Sequence, residues 1–216
     1  MTPVYKLSAN SVKNGRTVYG SMLAGNTAYV LPSYESIATA TVGAGGQNTV
    51  EFTNIPQNYT HLQIRGLVRQ LVANNVIGDA YIRFNGDTGS NYAVHVLEGY
   101  VNSGGTATVS AGAATAGAPT SRSAFRLAGS GAASGMFSPV IIDILDYANT
   151  NKYKTQRSLS GTNQNTQESC INFQSELWLS TSAITSILIG NIQGGYGSTV
   201  GWAEYTKFAL YGIKGA

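Results

Sequence analysis

The chain has 216 residues, with 13 basic side chains, 10 acidic ones, two histidines and a single cysteine. One cysteine rules out an intrachain disulfide framework and a thiolate zinc cluster, and Cys170 reads as a buried thiol. The most apolar run, Pro139 to Leu145, is short and broken by Asp143, so no helical membrane span is expected.

In chain order, residues 1–33 come first and carry Lys6, Lys13 and Arg16 but no acid, whereas ten basic and ten acidic side chains balance from Tyr34 onward. The net charge of +3 therefore sits in a polar stretch without a core of its own. That pattern predicts an anchoring arm, 1–33, ahead of a body, 34–216. The start, MTPVYKLSAN, lacks the apolar run of a signal peptide, which predicts folding in a cytoplasm.

The body shows no long window with an apolar stripe at helical spacing. Short period-two runs recur between Gly, Asn and Pro turns. Strands are expected at 35–42, 49–53, 61–72, 80–85, 92–98, 123–128, 140–147, 153–159, 171–179, 185–189 and 201–213. Asn85-Gly86-Asp87 and Asn149-Thr150-Asn151 supply the positive φ angles that tight turns need. The fold class expected is all-β, an antiparallel β-sandwich with an extended N-terminal arm.

Alternation assigns faces. Leu62, Ile64, Gly66 and Val68 share the core side of their strand. Val140, Ile142 and Ile144 oppose Ile141, Asp143, Leu145 and Tyr147, so that strand is central or covered outside by another subunit. Ile171, Phe173, Leu177 and Leu179 are expected on the core. That leaves Trp178 outside with Asn172, Gln174 and Glu176, as a subunit contact or a sugar platform. Ile141, Leu145 and Trp178 are thus the expected subunit contacts. From Ser103 to Thr120, 16 of 18 residues are Gly, Ala, Ser or Thr. This stretch and Gly129–Gly135 are expected to form long loops with no core-packing role.

Charged residues make up 11% of the chain, against about 25% in typical soluble domains. A weakly charged surface suits protein or sugar contact, and a homo-oligomer is favoured over a monomer.

Enzyme chemistry finds little foothold. His61 and His95 are the two histidines, no G-x-S-x-G turn occurs, and His95 shares a face with Ala93 and Leu97 as a structural residue. No H-E-x-x-H zinc motif or phosphate loop is present. Gly129-Ser-Gly131-Ala-Ala-Ser134 misses the dinucleotide pattern. Paired carboxylates remain a route to glycoside hydrolysis, drawn from Asp79, Asp87, Glu98 and Glu176. Arg83 to Tyr92 has oxygen donors at Asn85, Asp87 and Asn91 but lacks a calcium loop's sixth-position Gly and closing Glu, so a hairpin turn is expected. Arg65 with Arg69, and Lys152, Lys154 and Arg157, are too close to acids for a nucleic-acid groove. No catalytic residue, metal or cofactor is assigned, and neither a nucleic-acid nor a membrane partner.

Four segments carry a likeness: Ser33–Thr39, Ile82–Tyr92, Ile142–Thr155 and Phe208–Gly215. In this order they resemble a family of tailed-phage virion structural proteins common among phages of aquatic bacteria, including cyanophages. The resemblance covers about Ser33 to the C-terminus. It implies a non-enzymatic, surface-displayed β-sandwich of jelly-roll type, trimeric, on heads or tails, assembled in the host cytoplasm and resident in the virion. Implied partners are the major capsid protein or a tail protein. A head decoration (cement) protein or attached fibre part is the first expectation. A receptor-binding tail-fibre or spike module contacting host glycan is the alternative, and a polysaccharide-degrading enzyme the third.

Overall fold

The computed structural model describes residues 33–71, 75–118, 124–164, 168–192 and 201–214. Lys6, Lys13 and Arg16 lie outside the described residues, and with them the arm.

Twelve strands are present: β1 (Tyr34–Thr41), β2 (Thr49–Phe52), β3 (His61–Val68), β4 (Ile77–Phe84), β5 (Tyr92–Val101), β6 (Ala107–Ala118), β7 (Phe125–Ala128), β8 (Ser138–Leu145), β9 (Lys154–Thr162), β10 (Ser169–Trp178), β11 (Ile187–Asn191) and β12 (Lys207–Ile213). They form an eight-stranded sheet, β1-β12-β3-β8-β9-β10-β5-β6, and a four-stranded sheet, β2-β11-β4-β7. All the strand pairs are antiparallel, and they nest. β1 pairs with β12, β2 with β11, β3 with β8 and β4 with β7. That nesting is the strand order of a jelly roll, a long hairpin rolled into two facing sheets. Two hairpins, β5–β6 and β9–β10, are inserted between paired strands and widen one sheet to eight.

The core sits where the small sheet covers the large one. Leu62, Ile64, Val140, Ile142, Ile144, Phe208 and Leu210 meet Val50, Phe52, Ile82, Phe84, Ile187 and Ile189. Each such side chain stabilises the fold by about 1.5–3 kcal/mol on burial. Trp202 is fully buried, stacks on Phe125 at 6.4 Å, meets Phe208 edge-on at 5.1 Å and donates its indole N–H to the Ile189 carbonyl.

At the open edge of β7, serines replace a neighbouring strand. Ser158 Oγ donates to the Ala124 carbonyl, Ser160 Oγ accepts from Arg126 N at 3.1 Å, and Ser138 Oγ accepts from Ala128 N at 2.8 Å. Backbone groups at alternate residues 124, 126 and 128 are thereby satisfied inside the sandwich. This is why β9 presents serines to the interior.

All eleven expected strands are present, with ends shifted by up to several residues. Four readings need correction. The stretch from Ala107 to Ala118 is strand β6 rather than loop; small residues do not prevent a strand when β5 supplies a ladder beside it. β10 faces the other way: Asn172, Gln174, Glu176 and Trp178 are buried, while Ile171 and Phe173 are exposed. Trp178 is therefore a core residue, at 3% exposure, and not an exposed subunit contact. Finally, Tyr147 is fully buried and not on the outer side with Ile141 and Leu145, because β8 ends at Leu145 and Asp146 takes positive φ, which breaks the alternation. The Gly129–Gly135 segment is the expected loop, and it is held by Arg69, whose guanidinium donates to the carbonyls of Ser130, Ala132, Ala133 and Met136.

Candidate functional site: the outer face of the large sheet

Registration of the central strands sets apolar side chains side by side on the face turned away from the small sheet. Ile141 lies opposite Leu159, Leu159 opposite Phe173, Phe173 opposite Leu97, and Leu97 opposite Ala111. One step along the strands, Leu67 pairs with Pro139, Gly161 with Ile171, Ile171 with Gly99, and Gly99 with Val109. Ile171 is 63% exposed and Val109 80%. Leu67, Leu97, Ile141, Leu145, Leu159 and Phe173 are exposed as well. Side chains of one face repeat every second residue, so these positions form a continuous band.

The band is not flat. Gly161 and Gly99, without side chains, flank Ile171, whose Cγ2 leans over Gly99. One depression, of about 450 Å³, is lined by Pro139, Ile141, Leu159, Gly161 and Ile171. The other, about 460 Å³, lies over Gly99 with Val109 and Ile171 at its sides. Ile171 is thus a knob between two hollows.

Polar residues border the band. Gln63, Asp143, Arg157, Ser175 and His95 follow one another in register across five strands. Gln63 Nε2 donates to Asp143 Oδ1 at 2.7 Å, while Gln63 Oε1 accepts from Arg65 Nε and from the Tyr34 hydroxyl, both at 2.8 Å. Of the three expected subunit contacts, Ile141 and Leu145 lie on this outer face. Sequence reading missed Leu97, Leu159, Ile171 and Phe173; the apolar outer side of the neighbouring strand, from Ile141 to Leu145, was the available signal.

Behind this face lie the carboxylates weighed for catalysis. Asp79 and Glu98 are brought together by Arg126, whose Nε is 3.5 Å from Asp79 and whose Nη1 is 3.1 Å from Glu98. Burial, against the pull of Arg126 and with the repulsion of Asp79, raises the Glu98 carboxyl above the ordinary range. Glu176 accepts from Gln156 Nε2 at 2.6 Å, and both side chains are buried. Asp87 accepts from the Trp178 indole at 2.7 Å, from Asn91 Nδ2 at 2.9 Å and from Gly89 N at 2.8 Å. Asn85 and Gly86 take positive φ and Asp87 N donates to the Phe84 carbonyl, so the segment is a tight turn, but β4 and β5 lie in different sheets and the turn carries the chain from one sheet to the other instead of closing the expected hairpin. Lys154 is buried and donates Nζ to the carbonyls of Asn149, Lys152 and Thr181, while Lys152 pairs with Asp146. Those two lysines therefore form no phosphate patch. Cys170 is buried, and desolvation pushes its thiol up to about 11. Among the described residues no group of three His, Cys, Asp or Glu side chains is arranged to hold a metal, and no helix is long and apolar enough to cross a membrane.

The Glu98 environment has a testable sign. A raised folded pKa means that its contribution to stability is present below the ordinary carboxylate range and lost as pH rises through the folded value. Glu98→Gln is expected to unfold at neutral pH no more easily than the parent and to lose that decline. Arg126→Ala, which leaves two acids without their shared cation, is expected to be about 2 kcal/mol less stable. Urea unfolding at a series of pH values checks both. A neutral-pH loss in Glu98→Gln as large as that in Arg126→Ala would contradict this assignment.

No protein-family model matches the chain, and no curated protein matches it. Among solved structures, it is similar to scytalido-glutamic peptidase bound to a peptide-based transition-state analogue, at 10% identity and a TM-score of 0.26, over 78% of this chain and 74% of that one. A second structure of that peptidase, with a transition-state analogue inhibitor, gives 8% identity and a TM-score of 0.22, over 81% and 66%. Likenesses this weak bear on neither fold nor chemistry.

Proposed function

We propose that this chain is a non-enzymatic structural protein of a phage particle, anchored by residues 1–33 and assembled through the outer face of its eight-stranded sheet. The apolar band from Leu67 to Val109 carries this reading. A monomer gains nothing from a row of exposed Ile, Leu and Phe, whereas an assembling protein gains by covering them. The resemblance noted in the sequence supports the particle as the setting, and the jelly roll supplies a rigid platform for the face. The carboxylates support a structural reading too: Asp79 and Glu98 share one arginine, Asp87 clamps a turn, and Glu176 is buried against Gln156. A head decoration or an attached fibre part both fit this role.

The anchor is tested by deletion. Removing residues 1–30 should leave a folded body that no longer joins particles. Replacing Lys6, Lys13 and Arg16 with Gln should weaken attachment more at low salt than at high salt. Incorporation of the truncated chain at the full-length level would refute the anchor.

A further inference from the structure

We infer that the apolar outer face of the large sheet packs on the same face of a second copy of this chain, about a two-fold axis parallel to the strands between β9 and β10. This rests on the assembly reading above and names the partner.

Size is the first argument. Six strands, β3 to β6 in spatial order, at about 4.8 Å spacing and three residue rows at about 6.8 Å span about 600 Å² in projection. Corrugation by side chains brings that towards the roughly 800 Å² per partner found in stable complexes.

Shape is the second. The face carries both a knob and the hollow that fits it, one strand apart, because Ile171 and Gly161 are directly opposite in register. The proposed axis exchanges the β9 and β10 columns. Ile171 of each copy then enters the hollow over Gly161 of the other, lined by Pro139, Ile141 and Leu159. The same operation sets Phe173 over Leu159, Ile141 over Leu97 and Leu67 over Val109, while Arg65, at the β3 end of the Ile141 row, falls over Ala111 at the edge of the contact. In the bordering row it sets Asp143 of one copy opposite His95 of the other and Arg157 opposite Ser175, with the two Arg157 side chains neighbours at the rim. An unrelated partner would have no reason to find knob and hollow so matched; a copy of the same face does, since an isologous contact is self-complementary. Aligned sheets packing face to face about 10 Å apart interdigitate in this way.

Sedimentation of the full-length chain tests the inference. The parent should be a dimer at tens of micromolar. Ile171→Glu and Ile171→Arg, both at an exposed position, should each sediment as monomers with an unchanged far-UV spectrum. Mixed in equal amounts they should re-associate, because the two copies of residue 171 lie about one strand spacing apart across the axis. Leu159→Lys, a second face variant, should also be monomeric. A parent that is monomeric at that concentration, a trimer that survives Ile171→Glu, or monomeric single variants that fail to re-associate when mixed would each overturn the two-fold contact. Particle incorporation separates the two levels. A monomeric parent that still enters particles overturns the second copy as occupant and leaves the structural role standing. A parent dimer absent from particles supports the contact and refutes the role.

Discussion

Trp178→Ala is expected to lower the unfolding free energy by about 4 kcal/mol, the cost of deleting a large buried ring together with its polar partner's hydrogen bond. Trp178 ends β10 with its ring 5.5 Å from that of Phe84 and its indole N–H on Asp87 Oδ2 at 2.7 Å. Asp87 in turn holds Gly89 N and Asn91 Nδ2, while the Tyr92 hydroxyl accepts from Phe84 N at 3.0 Å. The turn between β4 and β5 is thus fastened to the far end of β10. Trp178→Phe keeps most of the packing and loses only the N–H, at about 1–2 kcal/mol. Burial works to raise the Asp87 carboxyl, but the hydrogen bonds from Trp178, Asn91 and Gly89, with Arg83 nearby, outweigh it and hold it below the ordinary range. Its contribution is therefore present above the ordinary carboxylate pKa and lost as pH falls through the lower folded value. Urea unfolding at neutral pH and at about pH 3 should show the Trp178→Phe penalty shrinking in acid. A neutral-pH loss below about 1 kcal/mol for Trp178→Ala would place the ring outside the core.

The second large effect concerns assembly. Leu159 and Phe173 are opposite one another at the centre of the apolar band. In the two-fold contact both copies contribute this pair, so four side chains, each already about half covered, are buried for about 1 kcal/mol apiece, and Leu159→Glu combined with Phe173→Glu should weaken association by about a thousandfold. Both side chains are exposed in the single chain, so the melting temperature should move little. A double variant that associates like the parent would move the contact off this face.

The sequence carried the fold further than the site. Period-two runs and Asn-Gly turns located eleven strands, and Leu62, Ile64 and Val68 pointed inward as their alternation requires. β6 was hidden because Gly, Ala, Ser and Thr say nothing about pairing until β5 lies beside them. The faces of β9 and β10 were hidden for a different reason. Binary patterning assumes a polar outside and an apolar inside, but here the open edge of β7 needs hydroxyl partners, so Ser158 and Ser160 point inward. Asn172, Gln174 and Glu176 share that interior polar layer, and Trp178 goes inside with them. Their period-two neighbours Leu159, Ile171 and Phe173 are turned outward by the same register, which creates the band. An inverted strand of this kind is read correctly only when the edge it must satisfy is known.

Quantitative mass spectrometry of purified particles assembled with either the parent chain or Leu159→Glu/Phe173→Glu tests the structural role most directly. The parent is expected in particles as a multicopy component. The double variant should be depleted at least about tenfold while its soluble level in the host stays unchanged. Absence of the parent chain from purified particles, or incorporation of the double variant at the parent's stoichiometry, would contradict assembly through the outer face of this sheet.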